Sequence, residues 1–207
     1  SNPAHIPLLV NKEGMFRQDF LGLMKLSMGS HRIEALAQIT LECQSQIKRF
    51  LREFPDMQQR LCLDSHQHAH AIPLVYEALG LALTAEGCQV RTLRAPLDPL
   101  AVYRNIEINC GAASGDSKAH ASKVPVPLVN QAKVFLIDAL WKRRKSNIMP
   151  FVDTKDAPLF CGVALSGEMH HFNASLLYAF KAEAARQHRS LEILFHPVSV
   201  PISECLD

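Results

Sequence analysis

The feature that most constrains the fold is a strand–helix–strand pattern between residues 60 and 93. A short apolar run, Arg60–Leu63, predicts a buried strand. Pro73 opens a helical segment that continues to about Glu86, and Gly87 follows it as a C-cap. Gln89–Leu93 predicts a second strand. Because strands that alternate with helices pair in parallel, we expect an α/β fold with mainly parallel strands.

Further helices and strands are predicted on both sides of this unit. Apolar residues at helical spacing predict a helix over residues 30–54, with Ser30 as its N-cap and Pro55 as its end. Helices are also expected over residues 128–145 and 173–187, and strands over residues 159–163 and 191–195. The first residues predict a loop, and the stretch 95–127, with four prolines and the loop-forming run Ala113–Ser117, shows no clear pattern of helix or strand.

Composition bounds the class of protein. The chain has 207 residues, of which 48% are hydrophobic and 20% charged, so we expect one globular domain over residues 1–207. A net charge of +2 favours neither a nucleic-acid nor a membrane partner. The basic run Lys142–Lys145 predicts a solvated helix end rather than a binding patch.

Cysteine spacing and hydropathy indicate a compartment. The six cysteines include no CxxC pair, and most stand among apolar residues, so buried free thiols are expected. The sequence shows neither a signal-peptide pattern nor an apolar stretch of about 18 residues, the length a membrane span needs. These features predict a soluble, cytoplasmic protein.

The run from Asp64 to His70 follows the first predicted strand and carries three alternating histidines. If the run is extended, Asp64, His66, His68 and His70 face one side, because side chains alternate along a strand. Imidazoles suit zinc, and carboxylates also suit magnesium. In parallel α/β folds, ligands bind beyond the carboxyl ends of strands, so this run is the best candidate for a metal-centred site. One of the histidines could instead be a hydrogen-bond partner of a ligand.

Other candidate residues follow later strands. His196 ends the strand Leu191–Phe195 and could act as a general acid or base, since histidine titrates near neutral pH. Arg91 in the second strand could orient a carboxylate. Gly162 and Ser166 stand where backbone could approach a ligand. The pair His170-His171 predicts a surface or the rim of a substrate site.

Taken together, these motifs resemble the YdjC/ChbG-like carbohydrate deacetylases, which are related to the NodB-type polysaccharide deacetylases. Leu63–His70 followed by Pro73 is similar to the family's LDSHxHVH…P signature, the most specific of the matches. Weaker similarities cover Leu9–Phe16, Val90–Arg94, the Phe160-x-Gly162 and Ser166-Gly167 pair of motifs, and Glu192–Pro197.

The resemblance implies an incomplete (β/α) barrel of the polysaccharide-deacetylase type and metal-dependent removal of N-acetyl groups from amino sugars or chito-oligosaccharides. It implies that His66 is a ligand of a divalent metal, Mg²⁺ or Zn²⁺. His196 would be the candidate general acid, Arg91 would position a carboxylate, and the substrate would meet the residues Asp64, His68, His70, Gly162 and Ser166. The expected partners are an N-acetylated sugar and a second copy of the chain in a homodimer.

The chain also departs from the family's pattern. The family's ADDFG motif and its second metal-binding histidine have no counterpart, and Ser1 aligns to a point after both, as in an N-terminally truncated domain. Val198 stands where the family usually has glycine. Two alternatives therefore stay open: a metal-site-deficient paralogue or fragment that acts as a binding or scaffold protein, and a different metal-dependent amidohydrolase.

Overall fold

A computed structural model describes residues 1–104, 106–108, 120–122, 124–144, 146–150 and 157–195. The contacts of the chain cluster into two compact units. The first unit comprises Ser1–Pro96 and Phe135–Ala157, and the second comprises Leu97–Val134 and Pro158–Asp207. The prediction of one domain over residues 1–207 stays a prediction.

The first unit is built around a short parallel ladder, three complete helices and residues 135–143 of a fourth. Strands β1 (Leu61–Leu63) and β2 (Val90–Leu93) pair in parallel, with Leu61 opposite Val90 and Leu63 opposite Leu93. The helices are α1 (Phe20–Met28), α2 (Arg32–Glu53) and α3 (Pro73–Ala85), and short 3₁₀ turns cover Pro3–His5, Pro55–Met57, His66–Ala71 and Ser146–Ile148. The α3 helix connects the two strands, so this part of the chain is the predicted strand–helix–strand unit.

The core of the first unit lies where α2 and α3 pack together. Ala35 and Ile39 of α2 meet Leu74 and Ala78 of α3 in one buried apolar cluster. Gly80 lets Ile148 approach closely, since a Cβ atom there would lie 2.3 Å from an Ile148 methyl carbon. This packing fixes α3, and through it the turn that precedes Pro73.

The second unit contains a second parallel pair and an antiparallel hairpin. Strands β5 (Leu159–Cys161) and β6 (Leu191–Ile193) pair in parallel, whereas β3 (Ile106–Ile108) and β4 (His120–Ser122) are antiparallel. Its helices are α4 (Leu100–Arg104), the beginning of α5 (Leu128–Arg143) and α6 (Ala174–Arg186). Asn173 caps α6 by accepting a hydrogen bond from the Leu176 amide at 2.9 Å.

The observed elements confirm the α/β class, the parallel strand pairs and the four predicted helices. The closure of a barrel stays a prediction. Two helices were not anticipated, α1 and α4. Ile33 is one of the apolar residues whose helical spacing predicts α2, but it is 81% exposed and lies off the buried face.

Two smaller expectations also need correction. Of the cysteines in the described ranges, Cys88 and Cys161 are buried and Cys43 is half-buried, but Cys62 is exposed, because it points away from the core on β1. Arg144 is not simply a solvated residue at a helix end, because its guanidinium carbon lies 3.7 Å from the centre of the Trp141 ring.

Within the described residues, no helix has the length and apolar character needed to cross a membrane.

Candidate functional site

The turn that follows β1 is strained rather than extended. His66–Ala71 forms a 3₁₀ turn in which Gln67 has a φ of 51° and His68 a φ of 56°. The prediction of an extended run with all histidines on one face was therefore wrong. Left-handed backbone costs about 1–2 kcal/mol for a residue other than glycine, so two such residues in succession need support from their surroundings.

His70 supplies much of that support by tying three segments together. Its Nε2 lies 2.7 Å from the carbonyl oxygen of Arg94, and its Nδ1 lies 2.6 Å from the hydroxyl of Ser65. Because a carbonyl can only accept, Nε2 carries the proton and Nδ1 accepts from Ser65. The Ser65 hydroxyl also accepts from the His70 amide at 3.0 Å. The ring thus links the ends of β1 and β2 to the turn, and both of its nitrogens are occupied.

The surroundings of His70 favour its neutral form. The residue is 1% exposed, and its ring meets Trp141 edge-on at a centroid distance of 5.8 Å. Burial lowers the pKa of His70, although the Arg94 carbonyl and the charge of Asp64 act in the opposite direction. A neutral imidazole with a fixed tautomer is suited to holding a loop in place.

Asp64 forms an ion pair with Arg94, the residue after β2. The pair is only partly exposed, with 19% of the Arg94 side chain and 39% of the Asp64 side chain accessible. Arg91, which the sequence favoured for pairing with a carboxylate, is exposed on β2. Arg94, which stands at the carboxyl end of the strand, is the arginine that pairs with Asp64, and the role of Arg91 stays a prediction.

His66 and His68 are the remaining histidines of the turn. His66 is exposed at its beginning, and His68 is half-buried, with its ring centroid 6.4 Å from that of His70. The turn therefore presents one exposed imidazole, beside a carboxylate already paired with an arginine.

The described residues around His66 do not fit a three-ligand metal site. Both nitrogens of His70 are bonded within the protein, and the Asp64 carboxylate is paired with Arg94. Within the described ranges, one group of three histidine, cysteine or acidic side chains brings its ligand atoms within 4.8 Å of one another, and it is Glu168, His170 and His171. His66 is not a member of that group.

In the second unit, a buried carboxylate organises the loop that follows β5. Asp98 is 4% exposed, and its Oδ2 accepts from the amides of Gly162 and Ala164 at 3.0 and 2.9 Å. Its Oδ1 accepts from the Tyr103 hydroxyl at 2.8 Å. Burial raises the pKa of Asp98, and the hydrogen bonds from the loop amides oppose that rise. No pattern in the sequence identifies this residue.

Asn130 binds the carbonyl groups of the same loop, whereas Asp98 binds its amide groups. Its side-chain amide donates to the carbonyls of Ala164 and Ser166 at 3.1 and 2.9 Å, and the residue is 2% exposed. Gly162 is buried against Leu194, whereas the Ser166 side chain is exposed. The loop is thus fixed through its backbone, and it leaves the segment from Ser166 onward at the surface. His196, the expected general acid, lies outside the described residues.

Comparison with known proteins gives one match. No curated protein and no solved structure matches the chain significantly. The family model described as YdjC-like protein matches residues 1–201. That match covers nearly the whole chain, including the Asp64–His70 run and the loop after β5, so the chain belongs to the YdjC-like family.

Proposed function

We propose that this chain acts in the hydrolysis of N-acetyl groups on amino sugars or chito-oligosaccharides, with the turn after β1 as the edge that meets the sugar. The YdjC-like family consists in general of carbohydrate deacetylase-related hydrolases that depend on a divalent metal. The observation that carries the proposal is the left-handed backbone at Gln67 and His68, because such strain is typically kept where a function uses it.

Each residue of the turn has a role in this proposal. His66 offers an exposed imidazole to the substrate region, and Asp64 and His68 stand two positions before and after it in the chain. His70 acts by positioning: its two ring bonds hold the turn against the end of β2. This replaces the direct substrate contact that the sequence suggested for His70, because the ring has no free nitrogen.

The chemistry requires water to add to the acetamide carbonyl and the C–N bond to break, releasing acetate and an amine. The leaving nitrogen must gain a proton, and His196 remains the proposed donor. Arg91 remains proposed to position a carboxylate, and Gly162 and Ser166 remain proposed as substrate contacts. Mg²⁺ or Zn²⁺ remains the proposed cofactor, although the described residues around His66 do not complete its ligand set.

The test is release of acetate from N,N′-diacetylchitobiose, followed by the methyl signal of acetate in proton NMR, with and without added Mg²⁺ or Zn²⁺. We expect release by the unmodified chain and at least a tenfold loss in His66→Ala, the equivalent of about 1.4 kcal/mol in transition-state free energy. His31→Ala is the matched control, since His31 is also exposed and its Nδ1 pairs with Glu34 at 3.3 Å. Equal rates in the His66→Ala and His31→Ala variants would contradict the role of the turn.

A second candidate function is sugar binding without hydrolysis. It is favoured by the Asp64–Arg94 ion pair and by the incomplete ligand set around His66 in the described part of the chain. Saturable binding of diacetylchitobiose without acetate release, with either metal present, would support this candidate over the hydrolase. Absence of both binding and release would contradict both candidates.

A further inference from the structure

A surface cluster in the second unit has the composition and spacing of a transition-metal site. The Nε2 atom of His170 lies 3.5 Å from Oε2 of Glu168, and the Nε2 atom of His171 lies 3.6 Å from the same oxygen. The potential ligand atoms of all three residues lie within 4.8 Å of one another. The sequence identified the two histidines only as surface or rim residues and did not identify Glu168.

The spacing fits a shared cation better than direct hydrogen bonds. An N–H···O bond has a donor–acceptor distance of about 2.7–3.2 Å, shorter than either separation. Zinc binds histidine nitrogen and carboxylate oxygen at about 2.0–2.2 Å, and in a tetrahedral site this places neighbouring ligand atoms about 3.3–3.5 Å apart. The two measured separations lie at or just above that range.

The backbone holds the three side chains in this arrangement. Met169–His171 is a 3₁₀ turn, which brings residues three apart onto one face, and the His171 amide donates to the Glu168 carbonyl at 3.0 Å. On one side, the loop before Glu168 is fixed by Asp98 and Asn130. On the other, Asn173 caps α6. The backbone that carries the three side chains is therefore held on both sides.

The side chains are accessible to a cation from solvent. Their exposed fractions are 36% for Glu168, 60% for His170 and 39% for His171. The two imidazole rings lie 4.0 Å apart between centroids, and both direct Nε2 toward one carboxylate oxygen. Two imidazoles and one carboxylate select zinc-type ions over Mg²⁺ and Ca²⁺, which prefer all-oxygen sites.

We propose that Glu168, His170 and His171 form a binding site for one divalent transition-metal ion, Zn²⁺ or an ion of similar preference, with three protein ligands and a further position open to water. This site does not depend on the proposed hydrolase function, and it uses none of the residues of the turn after β1.

The test is equilibrium binding of Zn²⁺ by the full chain, in competition with a chromophoric chelator. We expect His170→Ala, His171→Ala and Glu168→Gln each to weaken Zn²⁺ binding at one site by at least about tenfold. Replacing a residue that only hydrogen-bonds to a metal ligand already lowers metal affinity by about tenfold or more, and these three residues are the ligands themselves. His31→Ala, which breaks a histidine–glutamate pair without a third ligand, should leave that site unchanged. Mg²⁺ at the same concentration should not compete.

A His66→Ala variant separates this site from any metal bound at the turn after β1. The proposal predicts that His66→Ala retains the Zn²⁺ site that the Glu168, His170 and His171 variants weaken. Far-UV circular dichroism should show all variants folded, because the substituted side chains are at the surface. Unchanged Zn²⁺ stoichiometry and affinity in a folded His170→Ala/His171→Ala double variant would overturn the proposal, as would loss of the site in His66→Ala alone.

Discussion

At the scale of single residues, His70 shows how an apparent ligand can serve the structure instead. Its position in an alternating histidine run predicted contact with a metal or substrate, but its ring bonds Ser65 on one side and the Arg94 carbonyl on the other. The difference arises from burial, which favours internal hydrogen bonds and the neutral ring. Such burial cannot be deduced from the histidine spacing alone.

We expect the replacement His70→Gln to destabilise the protein by about 1–3 kcal/mol at about pH 7.5, because a buried donor and acceptor lose good partners. Burial lowers the pKa of His70 in the folded protein below 6.5, the ordinary value for histidine. As the pH falls through 6.5, the unfolded chain therefore takes up a proton at this residue before the folded chain does. The contribution of His70 to the free energy of unfolding is therefore complete above pH 6.5 and declines as the pH falls toward the pKa of the folded state.

The measurement is urea unfolding of both proteins at about pH 7.5 and about pH 5.5. The stability difference between the unmodified chain and His70→Gln should narrow at the lower pH. Asp64, Arg94 and Arg144 also act on the ring, so the comparison is made as a difference between variants. A difference that stays constant or widens would show that the folded pKa is not lowered.

Gly162 stands where close packing leaves no room for a side chain. A Cβ atom at this position would lie 2.8 Å from the Cβ of Leu194, and the backbone φ is 158°. We expect Gly162→Ala to cost about 1–3 kcal/mol through this overlap, measured by thermal and urea unfolding. Gly167→Ala is the control, since Gly167 also has positive φ but open space around its Cβ position. A cost no larger than that of Gly167→Ala would contradict the packing role.

At the scale of elements, local patterns predicted most helices and strands, because burial periodicity and caps are local properties. The helix α3 begins at Pro73 as predicted, and the β1 and β5 runs are the strands that their apolar residues indicate. The turn after β1 was misjudged because His-Gln-His contains no glycine to signal left-handed backbone. The hydrogen bonds of the His70 ring to Ser65 and to the Arg94 carbonyl outweigh the preference of residues other than glycine for right-handed or extended backbone.

The loop after β5 depends on contacts that no local pattern contains. Asp98 accepts hydrogen bonds from Gly162 and Ala164, which are 64 and 66 positions further along the chain, and Asp98 itself lies in a stretch without a clear sequence pattern. Asn130 lies 34 and 36 positions before its two partners, Ala164 and Ser166. This is why the sequence identified the loop's glycine and serine but not the residues that hold it.

The loop gives a prediction about two variants of one residue. Asp98→Ala leaves two buried amides without their acceptor, and we expect a loss of about 2–4 kcal/mol in the free energy of unfolding. Asp98→Asn keeps one oxygen for both amides, and the Tyr103 hydroxyl can donate instead to Cys161, whose sulfur lies 3.3 Å away. We therefore expect Asp98→Asn to cost about 1 kcal/mol or less. Equal losses in urea unfolding would contradict this arrangement.

At the scale of the whole molecule, the net charge of +2 is compatible with an uncharged ligand such as the N-acetylated sugar of the proposed function. An N-acetylated sugar is uncharged, so its capture needs hydrogen bonds and surface shape rather than a strong electrostatic field. The sequence was sufficient to identify the family, because the Asp64–His70 signature is local. The structure adds that His66 is the exposed histidine of that signature and His70 its internal support.

The central claim is that the turn after β1 meets an N-acetylated sugar, and it is tested most directly by titrating diacetylchitobiose while following the imidazole proton signals in NMR. We predict saturable binding that shifts the His66 signals, and a loss of affinity of about tenfold in His66→Ala, which corresponds to about 1.4 kcal/mol. His31→Ala should bind as the unmodified chain does. Absence of binding by the unmodified chain, or equal affinity in His66→Ala, would contradict the claim.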